Sequence, residues 1–477
     1  MSFTLTDFWN LFPLILVAAG ILLTITYDLL ARNSVRGVWL VTLLILAGAS
    51  YYSLLTLGSV GAYQNMVAFG GITHIFYFIF TFGAAIVVLL SKDYFEKLDL
   101  PISEFYMMLL SSVLGMMMIA SAKDFLMIFI GLEQMSICFY ALAGFNRRRE
   151  RSVESALKYF LLGSFATGFI VYGIALIYGS AQSLSLDTIS INIATLVKEP
   201  FFVIGMVLFI IGFAFKIAAF PFHMWVPDVY QGAPTTVTAL MSTGGKAAAF
   251  SALILVLYPV MSGNLLPQLL PVLTVLAILS MLYGSIVAIS QNDIKRMLAY
   301  SSIAHAGYML IGLASGNSDG YAGIVFYLAA YAFMNLGAFG IISIIEGKRD
   351  NHLQIPEYAG LGFSYPVLAG LLALFMFALS GIPPFAGFFG KYYVFYAALQ
   401  SGNTLLAIMG VLSSVISVYF YLRIIVVMYF NKPEEAGLRV SSYSSSALLG
   451  VMISAMLVVV MGVVPGRLID LITAFLN

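Results

Sequence analysis

Apolar runs, each long enough to cross a lipid bilayer as a helix of about 20 residues, recur along nearly the whole of this 477-residue chain. Inside a bilayer, only a helix or a closed barrel satisfies its own backbone hydrogen bonds. The composition agrees, because 61% of the residues are hydrophobic and only 9% are charged, against roughly 25% charged in a soluble domain. The sequence therefore predicts an all-α polytopic membrane protein with almost no soluble domain.

The rest of the composition narrows the possible function classes. A net charge of +1 gives no sign of a nucleic-acid partner. The single Cys138 provides neither a disulfide framework nor a metal cluster. No basic residue precedes the first apolar run and no cleavage site follows it, so this run is predicted to be a retained transmembrane helix rather than a targeting segment.

Charge clusters and turn residues divide the apolar sequence into fourteen candidate spans. Their approximate limits are 11–30, 37–57, 70–91, 105–121, 124–145, 153–179, 201–231, 236–260, 267–290, 297–315, 320–346, 365–399, 404–430 and 444–471. An alternative count of thirteen merges or drops one span around the short connection Ser121–Asp124.

Basic residues are distributed unevenly between the connections. Those after even-numbered spans contain only Lys123 and Lys198. Those after odd-numbered spans contain Arg32, Arg36, Lys92, Lys97, Arg147, Arg148, Arg149, Arg151, Lys295, Arg296, Lys348, Arg349, Lys432 and Arg439. The positive-inside rule assigns the basic connections to the cytoplasm. Both termini are therefore predicted on the outer, periplasmic side.

Two of the spans are longer than a bilayer requires and contain proline near the middle. The span 201–231 contains Pro221, and the span 365–399 contains Pro383 and Pro384. Proline removes a backbone donor and clashes with the preceding turn, so both helices are predicted to be interrupted. Interrupted backbone at membrane depth is tolerated where it is packed in protein or lines a wet cavity.

The two breaks belong to a longer internal repeat. Pro384 follows Pro221 by 163 residues, and the segment Gly307–Gly312 resembles Phe139–Gly144 at an offset of 168. Similar offsets between motifs indicate related units, here spans four to eight and nine to thirteen. Five spans is an odd number, so the units are predicted to have opposite orientations, as in transporters with inverted repeats.

This arrangement divides the chain into four parts. They are N-terminal helices one to three at 1–100, a first repeat at 101–262, a second repeat at 263–432 and a C-terminal helix at 433–477.

Ionisable residues inside the predicted spans are the main functional signal. They are Glu133, Lys158, Lys216, Lys246, His305 and Lys391. Charged side chains at membrane depth are costly, and they normally face the protein interior, pair with one another or mark an ion pathway. A buried lysine can change its protonation, whereas arginine stays charged. The group therefore predicts a pathway for protons.

The positions of these residues suggest different roles. Glu133 is the only deeply placed carboxylate, so it is the predicted partner of Lys216, which directly precedes the first break. Lys158 lies at a shallower depth, and Asp228 follows the first break. His305 is a candidate proton relay, because imidazole titrates near physiological pH.

The offset of 168 residues aligns Glu133 with Ser301, so the two units are not electrically equivalent. The sequence contains no phosphate loop, dinucleotide fingerprint, haem ligand set or iron–sulfur ligand set. The chain is therefore predicted to move charge without carrying out redox chemistry itself.

Three long motifs resemble a known family. They are "FPFHMWVPDVYQGAPTTVTALMSTGGKAAAF" after Lys216, "NDIKRMLAYSSIAHAGYML" and "GIPPFAGFFGKYYVF". They resemble the proton-translocating, antiporter-like membrane subunits of respiratory complex I, and the resemblance extends over nearly the whole chain. Lys391 after the second break makes the chain most similar to the N-type branch of that family.

The resemblance implies a fold of about fourteen transmembrane helices with two inverted five-helix repeats, each containing a discontinuous helix. It implies that Glu133 pairs with Lys216, that Lys246 is a central connecting lysine, and that Lys391 faces the opposite side. Lys158 matches an additional lysine on the sixth helix of the N-type members. His305 is a candidate member of the family's central polar axis.

The resemblance also implies the surroundings of the chain. FMN, iron–sulfur clusters and quinone are expected in partner subunits. This chain is expected to bind no cofactor and no metal. The expected partners are other membrane subunits of complex I, the peripheral redox arm and membrane lipids, with no nucleic acid, in a bacterial inner membrane. A subunit of a multisubunit cation/proton antiporter and a passive structural subunit stay open as alternatives.

Overall fold

A computed structural model describes residues 4–31, 35–100, 102–260, 265–346, 352–432, 440 and 443–476. The structural statements below concern these residues. The predicted boundaries between the four parts of the chain, near 101, 263 and 433, lie outside the described residues. So do four of the basic residues used to orient the chain, Arg32, Lys348, Arg349 and Arg439.

The described residues are folded mainly into α-helices, which confirms the predicted all-α membrane class. The N-terminal elements are α1 (Leu5–Asn10), α2 (Phe12–Leu30), α3 (Val35–Leu55), β1 (Gly61–Tyr63), β2 (Val67–Phe69) and α4 (Gly71–Leu98). The next are α5 (Ile102–Ala120), α6 (Phe125–Ala143), α7 (Glu150–Ala181), α8 (Leu186–Ile191), α9 (Ile193–Leu196), α10 (Pro200–Lys216), α11 (Val226–Gly232), α12 (Thr235–Leu240) and α13 (Lys246–Val260). The last are α14 (Leu266–Ile289), α15 (Ile294–Ser315), α16 (Ser318–Ile345), α17 (Leu361–Ser364), α18 (Pro366–Ser380), α19 (Ala386–Gln400), α20 (Thr404–Phe430), α21 (Ser445–Val463) and α22 (Pro465–Leu476).

Twelve helical stretches in the described part of the chain are long and apolar enough to cross a membrane. One of them combines α12 and α13, which a π-helical turn at Met241–Gly245 joins. The pairs α10–α11 and α18–α19 are additional, because each consists of two shorter helices. The count of fourteen crossings and the inverted relation of the two units stay predictions.

Polar residues at the N-termini explain where several helices begin. The Asp124 carboxylate accepts a hydrogen bond from Met127 N at 2.7 Å at the start of α6. The Asp293 carboxylate does the same for Arg296 N at 3.0 Å at the start of α15. These side chains satisfy backbone amides that the first helical turn leaves without a partner.

Both predicted helix breaks are confirmed. Helix α10 ends at Lys216 and α11 begins at Val226, with Pro221 in the turn between them. Helix α18 ends at Ser380 and α19 begins at Ala386. The prolines of each break lie in the turn, where their missing N–H groups leave no gap in a helical ladder.

One end of the helix bundle carries the β-hairpin. Strand β1 pairs antiparallel with β2, and Ala68 N donates to Ser121 O at 2.7 Å in the connection between α5 and α6. That connection is bonded in turn to the one after α7, through Leu186 N and Lys123 O at 2.9 Å. We call this end the hairpin face.

The opposite end carries the described basic connections. Arg149, after α6, lies 3.6 Å from the Glu346 carboxylate at the end of α16. Ile294 N at the start of α15 donates to Leu353 O at 2.9 Å. We call this end the basic-loop face. Alternate connections thus meet at opposite ends, as the predicted order of crossings requires.

Three details of the sequence-based prediction are wrong or refined. Helices α5 and α6 are separate, so the count that merges them around Ser121–Asp124 is excluded. The predicted last span, 444–471, is two helices, because α21 ends at Val463 and α22 begins at Pro465. Lys295, which was counted in the connection before the span 297–315, lies in the first turn of α15 and is fully buried, and its ammonium donates to Ala233 O at 2.7 Å.

Helix α16 forms the centre of the molecule and is buried from Gly320 to Ile345. Helices α4, α15, α19 and α21 are among those that pack against it. Helix α7, by contrast, lies at the periphery with most of its residues outward. The functional side chains described below therefore project from helices that surround a fixed central element.

Helices α5 and α6 approach each other through two glycines. A Cβ atom on Gly131 would lie 2.9 Å from Gly115 O, and one on Gly115 would lie 2.6 Å from Met135 N. Small residues of this kind let membrane helices approach closely. Helix α6 carries Glu133, so this contact also fixes the position of the carboxylate.

We expect Gly131→Val to separate α5 from α6, because overpacking a tight contact costs about 1–3 kcal/mol. The melting temperature of the purified protein should fall by several degrees. Gly168→Val on α7 is the matched control, because a Cβ atom there meets nothing within 4 Å. Equal losses of stability in the two variants would contradict the tight contact.

Candidate functional site: a row of buried lysines

Four of the six predicted site residues are buried inside the bundle. Lys216, Lys246, His305 and Lys391 are 8%, 3%, 2% and 4% exposed. Glu133 is half-buried on α6, and Lys158 lies farther out on α7. The buried four come from α10, α13, α15 and α19. Shared aromatic neighbours relate Lys246, His305 and Lys391, which are far apart in the sequence.

Lys216 is the last residue of α10, at the edge of the first break. Its Nζ atom donates to Ser136 Oγ at 3.0 Å and to Tyr140 OH at 3.2 Å. Ser136 and Tyr140 lie three and seven residues after Glu133 on α6, so all three share one helical face. One face of α6 therefore supplies both the hydroxyl partners and the nearby carboxylate.

The predicted pairing of Glu133 with Lys216 is indirect. Among the described residues these two side chains form no ion pair, although they interact through space. The Glu133 carboxylate instead accepts a hydrogen bond from Thr167 Oγ1 on α7 at 2.9 Å. Because the Thr167 hydroxyl binds the Glu133 carboxylate, this carboxylate lies near Lys216 without a direct hydrogen bond to its ammonium.

Lys246 lies directly after the π-helical turn Met241–Gly245, the kind of helix irregularity that often accompanies a functional site. Its Nζ atom donates to Ser302 O on α15 at 2.5 Å. The same atom lies 5.4 Å from the centroid of the Tyr331 ring, within range of a cation–π interaction.

His305 is held by two tyrosines. Its Nδ1 atom lies 2.8 Å from Tyr327 OH and its Nε2 atom 3.0 Å from Tyr421 OH. The Tyr421 hydroxyl also bonds to Ser301 Oγ. The centroid of the Tyr331 ring lies 5.0 Å from the centroid of the imidazole. Because Lys246 contacts the same ring, Tyr331 is a shared neighbour of His305 and Lys246. Imidazole can accept a proton on one nitrogen and donate from the other.

Lys391 lies just after the second break. Its Nζ atom donates to Ser380 O at the end of α18 and to Ser414 Oγ on α20, each at 2.8 Å. It also lies 5.0 Å from the centroid of the Tyr308 ring, and that ring contacts His305 edge-on at 5.7 Å. Aromatic rings therefore connect Lys246, His305 and Lys391 in that order.

The two breaks place a helix C-terminus beside a lysine. Ser380 O is one of the last carbonyls of α18, which have no partner within the helix. Lys216 is itself in the last turn of α10. The C-terminal end of a helix carries a partial negative charge, which stabilises a nearby cation.

Lys158 is not part of the buried row. Its Nζ atom forms ion pairs of 2.7 Å with Glu154 and with Asp228, and its side chain is 42% exposed. Asp228 also binds Arg296 at 2.7 Å. The network lies near the basic-loop face, which agrees with the predicted shallow depth of Lys158.

The hydroxyl groups that bind Lys216 and His305 were not identified from the sequence. Ser136 and Tyr140 could have been found, because their spacing from Glu133 puts them on the same face of a helix. Tyr421 could not, because it is 116 residues from His305 and no local pattern relates the two.

A helical membrane fold with two interrupted helices and a row of buried lysines defines an antiporter-like membrane protein. A family model described as "NADH:quinone oxidoreductase/Mrp antiporter, TM" matches residues 122–417. The NADH-quinone oxidoreductase subunit N of Trichlorobacter lovleyi is 44% identical over 91% of this chain and 89% of its own length. Subunit N 1 of Chloroherpeton thalassium is 44% identical over 86% of each chain.

Solved structures agree with these relatives. A chain of respiratory complex I from Thermus thermophilus is 34% identical, has a TM-score of 0.84, and matches over 96% of this chain and 98% of its own length. The Mrp complex from Dietzia sp. contains a chain with a TM-score of 0.85 over 97% of this chain and 96% of its own. That chain is 18% identical, so it shows the fold alone. The protein belongs to the NADH:quinone oxidoreductase/Mrp antiporter family, on the branch of its subunit N members.

Lys391 opens into a cavity of about 430 Å³ between α19 and α20, and Ser414 is in its wall. The adjacent Ser413 is fully buried and bonds to Ser285 at 2.9 Å. We expect Ser414→Cys, with Cys138 replaced by alanine, to react with a small thiol reagent at least about tenfold faster than Ser413→Cys, because thiolates form in water-accessible surroundings. Equal rates, measured by mass spectrometry, would exclude a hydrated cavity.

Proposed function

We propose that this chain is a membrane subunit of a proton-pumping NADH–quinone oxidoreductase, in which it translocates protons while other subunits carry out the redox reaction. The observation that carries the proposal is the row of buried ionisable side chains, Lys216, Lys246, His305 and Lys391. The 44% identity to subunit N relatives supports the oxidoreductase as the complex in which the row operates.

The contacts of the three buried lysines suit a reversible change of protonation. Their hydrogen-bond acceptors are hydroxyl and carbonyl oxygens: Ser136 and Tyr140 for Lys216, Ser302 for Lys246, and Ser380 and Ser414 for Lys391. A carboxylate in direct contact would stabilise the ammonium form strongly. Neutral oxygens stabilise the ammonium less. The hydroxyls of Ser136, Tyr140 and Ser414 can also donate to the neutral amine, whereas the carbonyl oxygens of Ser302 and Ser380 only accept.

In the proposed pathway, a proton passes along the row as successive amines and the imidazole take it up and release it. Each ammonium that loses its proton becomes a neutral amine, and the next group becomes charged. The Tyr331 and Tyr308 rings, which lie beside Lys246 and Lys391, stabilise a cation on either side of His305. Glu133 acts through its charge, which favours the ammonium form of Lys216. Lys158 acts at the basic-loop face through its ion pair with Asp228.

The finer features of the assignment follow from the same proposal. FMN, iron–sulfur clusters and quinone are bound by partner subunits, and the peripheral redox arm acts on this chain through other membrane subunits. The complex lies in a bacterial inner membrane, with the basic-loop face in the cytoplasm and both termini on the outer side. The positive-inside rule supports this orientation through Arg147, Arg148, Arg149 and Arg151.

We expect Lys216→Ala to lower NADH-driven proton uptake by inverted membrane vesicles at least about tenfold, because a positioned proton-transfer group contributes roughly 10²–10⁴-fold. The complex should still assemble, as judged by the amount of this chain that purifies with its partners. Lys123→Ala is the control, because Lys123 pairs with Asp187 at the hairpin face, outside the row. Normal proton uptake by an assembled Lys216→Ala complex would refute the pathway.

A second prediction separates charge from titration at Lys391. Arginine keeps the positive charge but does not release its proton at physiological pH. We therefore expect Lys391→Arg to reduce proton uptake about as much as Lys391→Ala. If Lys391→Arg pumps like the unmodified complex, this residue acts as a fixed charge rather than as a carrier.

A subunit of a multisubunit cation/proton antiporter is the second candidate, favoured by the likeness of the fold to the Dietzia Mrp chain. The same vesicles discriminate between the two functions. Proton uptake that begins on addition of NADH supports the oxidoreductase. Proton movement that begins on a sodium pulse, with no response to NADH, supports the antiporter and excludes our proposal.

A further inference from the structure

The cavity of about 430 Å³ between α19 and α20 has the size of a ligand pocket, for which about 300–1,000 Å³ is typical. Ser380, Lys391 and Ser414 form its polar end, because Lys391 Nζ bonds to both serines. From there the cavity follows α19 to Leu399, about 12 Å along the helix axis. The proposed pathway uses Lys391 but assigns no molecule to this space.

Outward-facing apolar and aromatic side chains line the rest of the cavity. Tyr396 and Leu399 on α19, and Val411 and Val415 on α20, all line it and are exposed. Helix α20 is long and apolar enough to cross a membrane. Exposed apolar side chains on such a helix meet lipid tails, which are as apolar as leucine. The cavity is therefore open sideways to the hydrocarbon of the bilayer.

The Lys391 ammonium retains one N–H donor for a further partner. An ammonium group has three donors, and two of them bond to Ser380 O and Ser414 Oγ. Among the described residues, Lys391 has no third hydrogen-bond acceptor and no ion pair. Gly381 also lines the cavity, and a Cβ atom there would lie 3.1 Å from Lys391 Nζ. The bare backbone of this glycine leaves space beside the nitrogen.

The charge of the cavity selects the kind of molecule that fits it. Lys391 is the one charged side chain among the described residues that line it. A purely apolar ligand would leave the third N–H donor without an acceptor, which costs free energy in a buried site. A carboxylate supplies both the acceptor and the opposite charge. The complementary ligand is therefore a carboxylate on an apolar chain, and one groove between two helices suits a single chain.

We propose that this cavity binds a long-chain fatty acid, whose carboxylate pairs with Lys391 and whose alkyl chain lies between α19 and α20. The acid enters from the lipid in its neutral form. Its O–H bond breaks, the proton passes to the neutral Lys391 amine, and an ammonium–carboxylate pair remains. Such pairing is what charged groups at membrane depth normally require.

The proposal is tested by photolabelling of the assembled complex in its membrane. The probe is palmitic acid with a diazirine on its chain, and the control probe is its methyl ester, which has the same chain but no acidic proton. Adducts at Leu399 and Val411 are measured by mass spectrometry relative to Phe165, an exposed residue of α7 outside the cavity. We expect the ester to label the cavity at least about tenfold less, because it loses the charge-assisted hydrogen bond to Lys391.

A cavity-filling variant makes the test specific to this site. Val411 and Val426 both lie on α20 and are 51% and 48% exposed, but of the two only Val411 lines the cavity. We expect Val411→Trp to lower labelling of Leu399 by the acid at least about fivefold, because an added ring overpacks the space that the chain needs. Val426→Trp should label like the unmodified chain.

Three results would overturn the proposal. Equal labelling by the acid and the ester would show that Lys391 does not recognise the headgroup. Equal labelling by phosphatidylglycerol with the same diazirine chain would assign the cavity to a phospholipid. Absence of adducts at Leu399 and Val411 in the assembled complex would show that a partner subunit covers the cavity. None of these measurements depends on proton transport, so each result leaves the proposed function to its own test with Lys216→Ala.

Discussion

The placement of an ammonium group inside a membrane protein is the constraint on which the rest of the structure depends. A lysine at this depth requires oxygen partners, because lipid offers none and an isolated charge there costs several kcal/mol. The chain meets this need largely by interrupting its own helices. The break after α18 leaves Ser380 O free for Lys391, and the break after α10 places Lys216 at a helix C-terminus. The prolines that end these helices are therefore part of the charge-binding site as well as of the fold.

The two ends of the row differ in charge. Lys216 has the Glu133 carboxylate in its neighbourhood, whereas the residue that the predicted offset of 168 aligns with Glu133 is Ser301, whose hydroxyl bonds to Tyr421. Hydroxyls, a carbonyl and an aromatic ring surround Lys391, so the two ends have different surroundings. A movement of negative charge near Glu133 would change the Lys216 end selectively. In the proposed pathway, this difference would distinguish the two ends of the row.

The sequence predicted those features that depend on local constraints. Proline acts on its own helix, so the breaks at Pro221 and at Pro383 and Pro384 were predictable. Buried charge was also predictable, because any ionisable residue in a long apolar run must be accommodated. The contacts between helices were not predictable. Whether Glu133 touches Lys216 depends on how α6, α7 and α10 pack, and Thr167 competes for the carboxylate. The burial of Lys295 was not predictable for the same reason, since only the packing of α15 against the α11–α12 connection reveals it.

A row of lysines that lies across the bundle cannot move protons between the two membrane faces unless its ends open differently. Tyr140, beside Lys216, borders a cavity at the basic-loop face. The cavity beside Lys391 extends along α19 to Leu399, near the end of that helix. That end is bonded to the start of α16 through Asn317 Nδ2 and Ala397 O, at the face opposite the start of α15. One cavity therefore lies beside Tyr140 and the other beside Lys391, and the proposed pathway would carry a proton between these two places. In the proposed pathway, His305 lies between Lys246 and Lys391, so a change at this imidazole would interrupt transfer between the two lysines.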